Sequence, residues 1–298
     1  MFIDIHAHAY RKPVPFVCEF RTAEQVISLY DEQGIDKGVL LPIVSPEIYF
    51  PQANEDILEM AAQYPDRFIP FCNIDPRVLT NSADAPLDRV LRYYRDQGCK
   101  GLGEVMINLP MIHPLVQNLF KHAQDVGFPV IFDGSALVGG DFGLYDEPGL
   151  PQLEYTLRRF PRLVMLGHGP IFWAEIGPLE TPGQRGGGFT PDGGEFPPDP
   201  PTGPIKEEGV VPKLFRRYPN LYGDLSDLNP FNALTRDPEY GPKFVEEFQD
   251  RLLFGTDCVV PMPLHTAEML IEWRDSKKIS ETAFNKVARE NAMKLLNL

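Results

Sequence analysis

Eight short β-rich runs, separated by helical patterns, constrain this chain more than any other feature. They are residues 2–6 (FIDIH), 38–42 (GVLLP), 67–74 (RFIPFCNI), 100–106 (KGLGEVM), 128–132 (FPVIF), 162–168 (RLVMLGH), 220–225 (NLYGDL) and 251–256 (RLLFGT). Most start about thirty residues after the previous one. They are apolar without alternating, as strands of a parallel sheet covered on both faces read. Thr22-Ala23-Glu24-Gln25 has the form of a capping box opening a helix. Gly34, Gly98 and Gly127 stand where a helix hands over to a strand and a left-handed residue is needed. Tyr64-Pro65, Phe160-Pro161 and Tyr218-Pro219 end helices by proline instead. Eight strand–helix repeats with no second composition regime predict an α/β fold, a (β/α)8 TIM barrel in one domain over residues 1–298. A doubly wound open sheet is the alternative, and near-equal spacing of eight strands favours closure.

One interval is out of rhythm. The sixth and seventh runs start 58 residues apart, and the excess lies in 181–212, where 16 of 32 residues are Gly or Pro. This segment predicts an irregular loop insertion leaving the C-terminal end of strand six, the end where barrel active sites sit. A lid, an oligomer contact and a plain surface insertion all remain open. At the other end of the chain, SETAFNKVARENAMKLLNL spaces Phe284, Val287, Ala288, Ala292, Leu295 and Leu296 along one face. That spacing predicts a closing helix.

Composition narrows the class of partner. With 43% hydrophobic residues the chain can bury a large core, and a net charge of −14 argues against nucleic acid and anionic membranes. No apolar run approaches the length of a membrane span. The start, MFIDIHAHAY, lacks the pattern of a secretory leader. Cys18, Cys72, Cys99 and Cys258 form no CxxC pair and read as reduced and mostly buried. The expectation is a cytoplasmic protein with a small-molecule substrate, either a monomer or a homo-oligomer.

The chemistry is carried by polar residues at strand ends. His6 and His8 are two apart in a strand, so both imidazoles face one way, a good start for a zinc-type site. Alone such a pair says little. Glu104 ends the fourth run, Asp133 follows the fifth, His168 ends the sixth and Asp257 follows the eighth. Singly, each has an ordinary explanation as a helix cap, a salt-bridge partner or a core histidine. Together on one rim they form a polar cluster that is costly to bury without a cation. His113, His122 and His265 lie at or within helices and read as inert. No nucleophile elbow, P-loop or dinucleotide fingerprint is present.

These motifs resemble the amidohydrolase superfamily: HAH on the first strand, GHG at the end of the sixth and GTD at the end of the eighth. The similarity runs over nearly the whole chain, RENAMKLL included. It is nearest the amidohydrolase-related branch, which includes aminocarboxymuconate-semialdehyde and resorcylate-type decarboxylases. The resemblance implies His6, His8 and Asp257 as ligands of one divalent ion, with His168 beside it as an acid/base or carbonyl-polarising group. The family usually adds a strand-five histidine, and Asp133 stands in that place. Some branches use a strand-four glutamate, which points to Glu104. Zinc is the implied ion, with Mn2+ or Fe2+ joining it as candidates if both carboxylates bind.

The activity expected is hydrolysis of an amide, lactone or ester bond in a small molecule. Asp257 would take the water proton and His168 would polarise the carbonyl. Two alternatives are decarboxylation of a small aromatic or dienoic acid at the same centre, and a barrel without catalysis, which the unusual Asp133 supports. Candidate substrate contacts on the rim loops are Tyr10, Arg11, Asn108, Tyr145, Trp173 and Arg236. Arg11 or Arg236 could grip a carboxylate in bidentate fashion.

Overall fold

The computed structural model describes residues 1–11, 20–47, 52–139, 141–186, 188–189, 195–196, 200–259 and 265–298. All eight β-rich runs become strands: β1 (Phe2–Ala7), β2 (Ile35–Leu40), β3 (Phe68–Pro70), β4 (Leu102–Val105), β5 (Val130–Phe132), β6 (Met165–Gly167), β7 (Leu221–Asp224) and β8 (Leu252–Leu253). β2 starts three residues earlier than its run, because left-handed Gly34 ends helix α1 (Ala23–Gln33) and the chain extends at once. The strands pair in parallel, β1-β2-β3 in one sheet and β4-β5-β6-β7-β8 in another. Backbone bonds join the sheets at both seams. Cys72 N–H donates to Gly101 O (3.0 Å) between β3 and β4, and Ile5 N–H donates to Phe254 O (2.9 Å) between β1 and β8.

The helix boundaries follow their caps. Thr22 and Gln25 form the capping box of α1. Gly127 closes α4 (Pro114–Val126) in the left-handed region. Helices α2 (Asn54–Gln63), α5 (Pro151–Arg159) and α7 (Val210–Arg217) stop at Tyr64, Phe160 and Tyr218, each followed by proline. The 181–212 loop is shorter than its composition suggested. A 3-10 turn spans Pro182–Arg185, and α7 already begins at Val210, since a proline at position 212 is tolerated in a first helical turn. Residues 187, 190–194 and 197–199 of that segment, and Cys18, lie outside the described residues.

Two apolar layers surround the strands. Phe2, Leu40, Phe68, Leu102, Val130, Met165, Leu221 and Leu252 face the helices. Ile3, Ile5, Val39, Leu41, Ile69, Phe71, Ile131, Leu166 and Leu253 fill the interior, and Ala292 and Leu296 of the last helix close it from below. That closing segment is α-helix Glu281–Asn285, a π-helical stretch Lys286–Glu290 and α-helix Asn291–Leu296. Of the predicted contact residues Leu295 is only partly buried. Cys72, Cys99 and Cys258 are buried free thiols. Among the described residues no helix is long and apolar enough to cross a membrane.

The buried Asp146 carboxylate sits at the start of α5 and accepts N–H bonds from Glu147, Gln152 and Leu153 (2.8, 3.0 and 2.8 Å). Burial outweighs these donors and pushes its pKa up to about 7. The folded chain therefore holds this proton more tightly than the unfolded chain. Stability is expected to fall as pH rises from about 4 to about 7, by at most about 4 kcal/mol from this group. Urea unfolding across that window should show a flatter profile for Asp146→Asn, and an unchanged profile would refute the assignment.

Candidate metal centre

His6, His8, Glu104, Asp133, His168, Asp224 and Asp257 are placed by β1, β4, β5, β6, β7 and β8 or the residues just beyond them. Strict strand alternation would put His6 and Ile5 on opposite faces. Yet Ile5 lies in the interior apolar layer, and His6 lies in the interior polar cluster above it. The β1–β2 register explains this: Asp4 pairs with Gly38 and Ala7 with Leu40, so β1 carries one extra residue there. Such a bulge re-aims side chains. It lets Ile3 and Ile5 plug the lower barrel while His6 and His8 point into its mouth. A similar shift lies between Leu102 and Val105 in β4, around Glu104.

The tautomers of the histidine pair follow from their partners. His6 Nδ1 lies 2.6 Å from Asp224 Oδ2, and His8 Nδ1 lies 2.8 Å from Leu41 O. Both partners only accept, since the Asp224 carboxyl is held below its usual range: burial opposes this, but His6 and His168 prevail. Each Nδ1 therefore carries a proton and each Nε2 is turned into the mouth, where a cation can take its lone pair; without one, burial is outweighed by Glu104, Asp224 and Asp257, which hold the His6 pKa well up. The two Nε2 atoms are 3.1 Å apart. Glu104 Oε2 lies 3.3 and 3.4 Å from them, and Asp257 Oδ1 3.6 and 3.4 Å. Four donor atoms around a zinc-sized ion with bonds of about 2.0–2.1 Å stand about 3.3–3.4 Å apart. The donor set fits a divalent ion in spacing and chemistry, and its outer shell is already built.

His168 completes the mouth. Its Nδ1 is 3.0 Å from Ser226 Oγ and 3.5 Å from Asp224 Oδ2, and its Nε2 is 3.7 Å from Glu104 Oε1. Burial and the neighbouring His6 disfavour its charged form, but Asp224 and Glu104 outweigh them and raise its pKa to about 10. Asp133 is buried, with Oδ1 accepting from Gly134 N–H (2.7 Å). Burial and the Glu104 charge push its carboxyl well up. Two glycines make room for these groups. A Cβ on Gly169, at φ +82°, would lie 1.9 Å from Asp133 Oδ1, and one on Gly255 would lie 2.8 Å from Asp224 Oδ1.

The rim residues each have local contacts of their own. Arg11 is half exposed and pairs with Asp56 and Glu59 (2.9 and 3.0 Å). Tyr10 is buried against Phe20. Asn108 is tied to Leu137 O, Gly143 O and Gly139 N–H. Tyr145 belongs to a two-residue pairing with Ser135. Trp173 is fully buried, and its Nε1 donates to Asp224 O (3.0 Å). Arg236 reaches Gly203 O (3.4 Å). His113 caps α4, accepting from Leu115 N–H. His122 lies 3.8 Å from Asp88, and the His265 ring packs tilted against Phe231.

Asp224, Ser226 and Asp4 were not singled out by the sequence reading. An acid at the end of the seventh run, matching those of the fourth and eighth, was the available signal for Asp224.

A family model described as amidohydrolase matches residues 3–298. Among solved structures, the chain is similar to an uncharacterized TIM-barrel protein from Bordetella bronchiseptica, at 18% identity and a TM-score of 0.66, over 99% of this chain and 98% of that one. A probable 2-pyrone-4,6-dicarboxylic acid hydrolase from Acinetobacter baumannii, with citric acid bound, is 16% identical, with a TM-score of 0.59 over 100% and 99%. A dihydroxybenzoic acid decarboxylase from Polaromonas sp. JS666, with bound manganese and the inhibitor 2-nitroresorcinol, is 17% identical, with a TM-score of 0.55 over 100% and 97%. At such identities the likeness shows a TIM-barrel fold. No curated protein matches the chain.

Proposed function

Because the chain belongs to the amidohydrolase family, we propose that it is a metal-dependent hydrolase of a small organic molecule, cleaving an amide, ester or lactone bond. The observation that carries this reading is the convergence of His6 Nε2, His8 Nε2, Glu104 Oε2 and Asp257 Oδ1, with both Nδ1 protons committed behind them. A divalent ion held there supplies Lewis acidity and lowers the pKa of a water from about 16 toward about 7. Mixed nitrogen and carboxylate donors suit Zn2+, and the second carboxylate extends the choice to Mn2+ or Fe2+.

The chain's own residues divide the remaining work. Asp257 is the least buried of the four donors, with its side chain 22% exposed, so it can meet an incoming water. It takes the proton from that water and delivers it to the leaving group. His168 stabilises negative charge growing on the substrate carbonyl oxygen. Asp224 orients His6 and His168 together. Three buried free thiols accord with a cytoplasmic setting.

Chelator treatment is expected to abolish turnover of a responsive ester, lactone or amide, and Zn2+ or Mn2+ to restore it. Reaction in 18O-labelled water then reads the bond formed, because hydrolysis places the label in the product. A second reading, decarboxylation, is favoured by His168, which can bring a proton to a substrate carbon. CO2 release with no label in the organic product selects it. A folded chain that takes up no divalent ion refutes both readings.

A further inference from the structure

The segment that follows β6 forms one wall of a cleft of about 340 Å3. The short helix Pro170–Ala174 and the helix Leu228–Thr235 form the other walls, and Gln184, Pro200 and Pro201 close it from the side of the insertion. None of the residues of the metal centre lines it. Trp173 does, while its Nε1 donates to Asp224 O (3.0 Å). The outer wall is pinned by a buried ion pair. Arg185 is 1% exposed, with Nε 2.7 Å from Glu175 Oε1 and Nη1 donating to Asp146 O (3.0 Å). Gln184, next in the chain, is held by its own turn. Its Oε1 accepts from Glu180 N–H and Thr181 N–H (2.7 and 3.4 Å), and its Nε2 meets no acceptor among the described residues.

Charge says what this cleft can take. Arg236 lines it, and among the described residues no Asp or Glu does. The chain carries 42 acidic residues against 28 Lys and Arg. Arg236 nonetheless has no carboxylate partner among the described residues, and its Nη1 reaches only Gly203 O at 3.4 Å. The neighbouring Asp237 is spent on backbone: Oδ1 accepts from Glu239 and Tyr240 N–H (3.0 Å each), and Oδ2 from Ile205 N–H (2.9 Å). Burial draws the Arg236 pKa below its ordinary value, against the pull of Asp237, Tyr240 and Glu180. Gly177 leaves the guanidinium its room, since a Cβ there would lie 2.6 Å from Nη2. A half-buried cation without a counter-ion is costly, and an oxyanion taken by its planar fork offsets that cost.

We propose that this cleft binds a small oxyanion, the carboxylate or phosphate group of a small molecule, held by the Arg236 fork with the Gln184 and Asn232 amides donating beside it. The site is separate from the metal centre and needs no ion bound there. The Gly- and Pro-rich insertion thereby serves as a fixed wall of a ligand site.

Metal-free chain titrated at fixed ionic strength with acetate, and separately with inorganic phosphate, tests this by calorimetry and tryptophan fluorescence. Trp173 lines the cleft, and Trp273, the other tryptophan of the chain, does not. The expected result is saturable binding of one anion per chain with a change in emission, and the tighter of the two anions identifies the group. Arg236→Gln should weaken that binding by about tenfold or more at an unchanged melting temperature. Arg236→Lys keeps the charge without the planar fork and should fall between, and it carries the test where Arg236→Gln does not fold. Absence of saturable binding of either anion overturns the site. Undiminished binding in a folded Arg236 variant puts the anion elsewhere and overturns it as well. Binding that appears only after Zn2+ is loaded places the anion on the metal, which overturns the separate cleft and leaves the metal centre standing.

Discussion

Asp257→Asn is expected to give a folded chain whose turnover is lower by about three to four orders of magnitude. Asparagine keeps the side-chain volume but removes the negative charge and the ability to take a proton. The backbone tolerates the change. Asp257 N–H donates to His6 O (2.8 Å) whatever the side chain, and φ of +50° falls in the left-handed region that asparagine visits readily. Turnover after metal reloading, read beside the melting temperature, separates lost chemistry from lost fold. Near wild-type turnover would remove Asp257 from the reaction. His6→Ala should be equally inactive but harder to interpret. It strips the fully buried Asp224 carboxylate of its 2.6 Å partner, so the fold weakens along with the site.

The strands and their order could be read from the sequence because buried parallel strands are marked twice, by apolar composition and by the caps of the helices before them. Gly34, Gly127 and the three proline stops are local signals that survive without tertiary information. The ligand candidates could be read because a polar residue at the end of an apolar strand is costly unless something uses it. What could not be read depends on register. A period of two puts Asp4, His6 and His8 on one face. The β1 bulge separates them, sending Asp4 toward α1 and the two histidines into the barrel. Nothing in the hexapeptide FIDIHA announces that bulge. The partners of the rim residues were hidden for a related reason. Arg11 and Arg236 looked free to grip a carboxylate, but Arg11 is held by Asp56 and Glu59, whose nearness only the packing of α2 reveals.

Asp4→Ala is expected to cost about 3–5 kcal/mol of stability while leaving every proposed ligand side chain in place. The Asp4 carboxylate is fully buried and accepts four bonds: His6 N–H (2.9 Å), Thr256 N–H (2.9 Å), Thr256 Oγ1 (2.6 Å) and Tyr30 Oη (2.8 Å). It thereby ties β1 to the residues following β8 and to α1. Alanine strands all four donors, each costing about 1–3 kcal/mol if no water reaches it. Asp4→Asn should be milder, because one oxygen still accepts, although its amide then faces donors. Burial raises the Asp4 pKa to about 6 against the pull of its partners, so at pH 7 the wild-type group is mostly ionised and the comparison is with a charged acceptor. Urea unfolding of the three metal-free chains at pH 7 gives the ranking. An alanine variant within about 1 kcal/mol of wild type would mean that this seam is held by its backbone bonds alone. If the larger loss is found, the same carboxylate that seals β1 to β8 also sets the spacing of His6 and Asp257, which follow Asp4 and Thr256 by two residues and one.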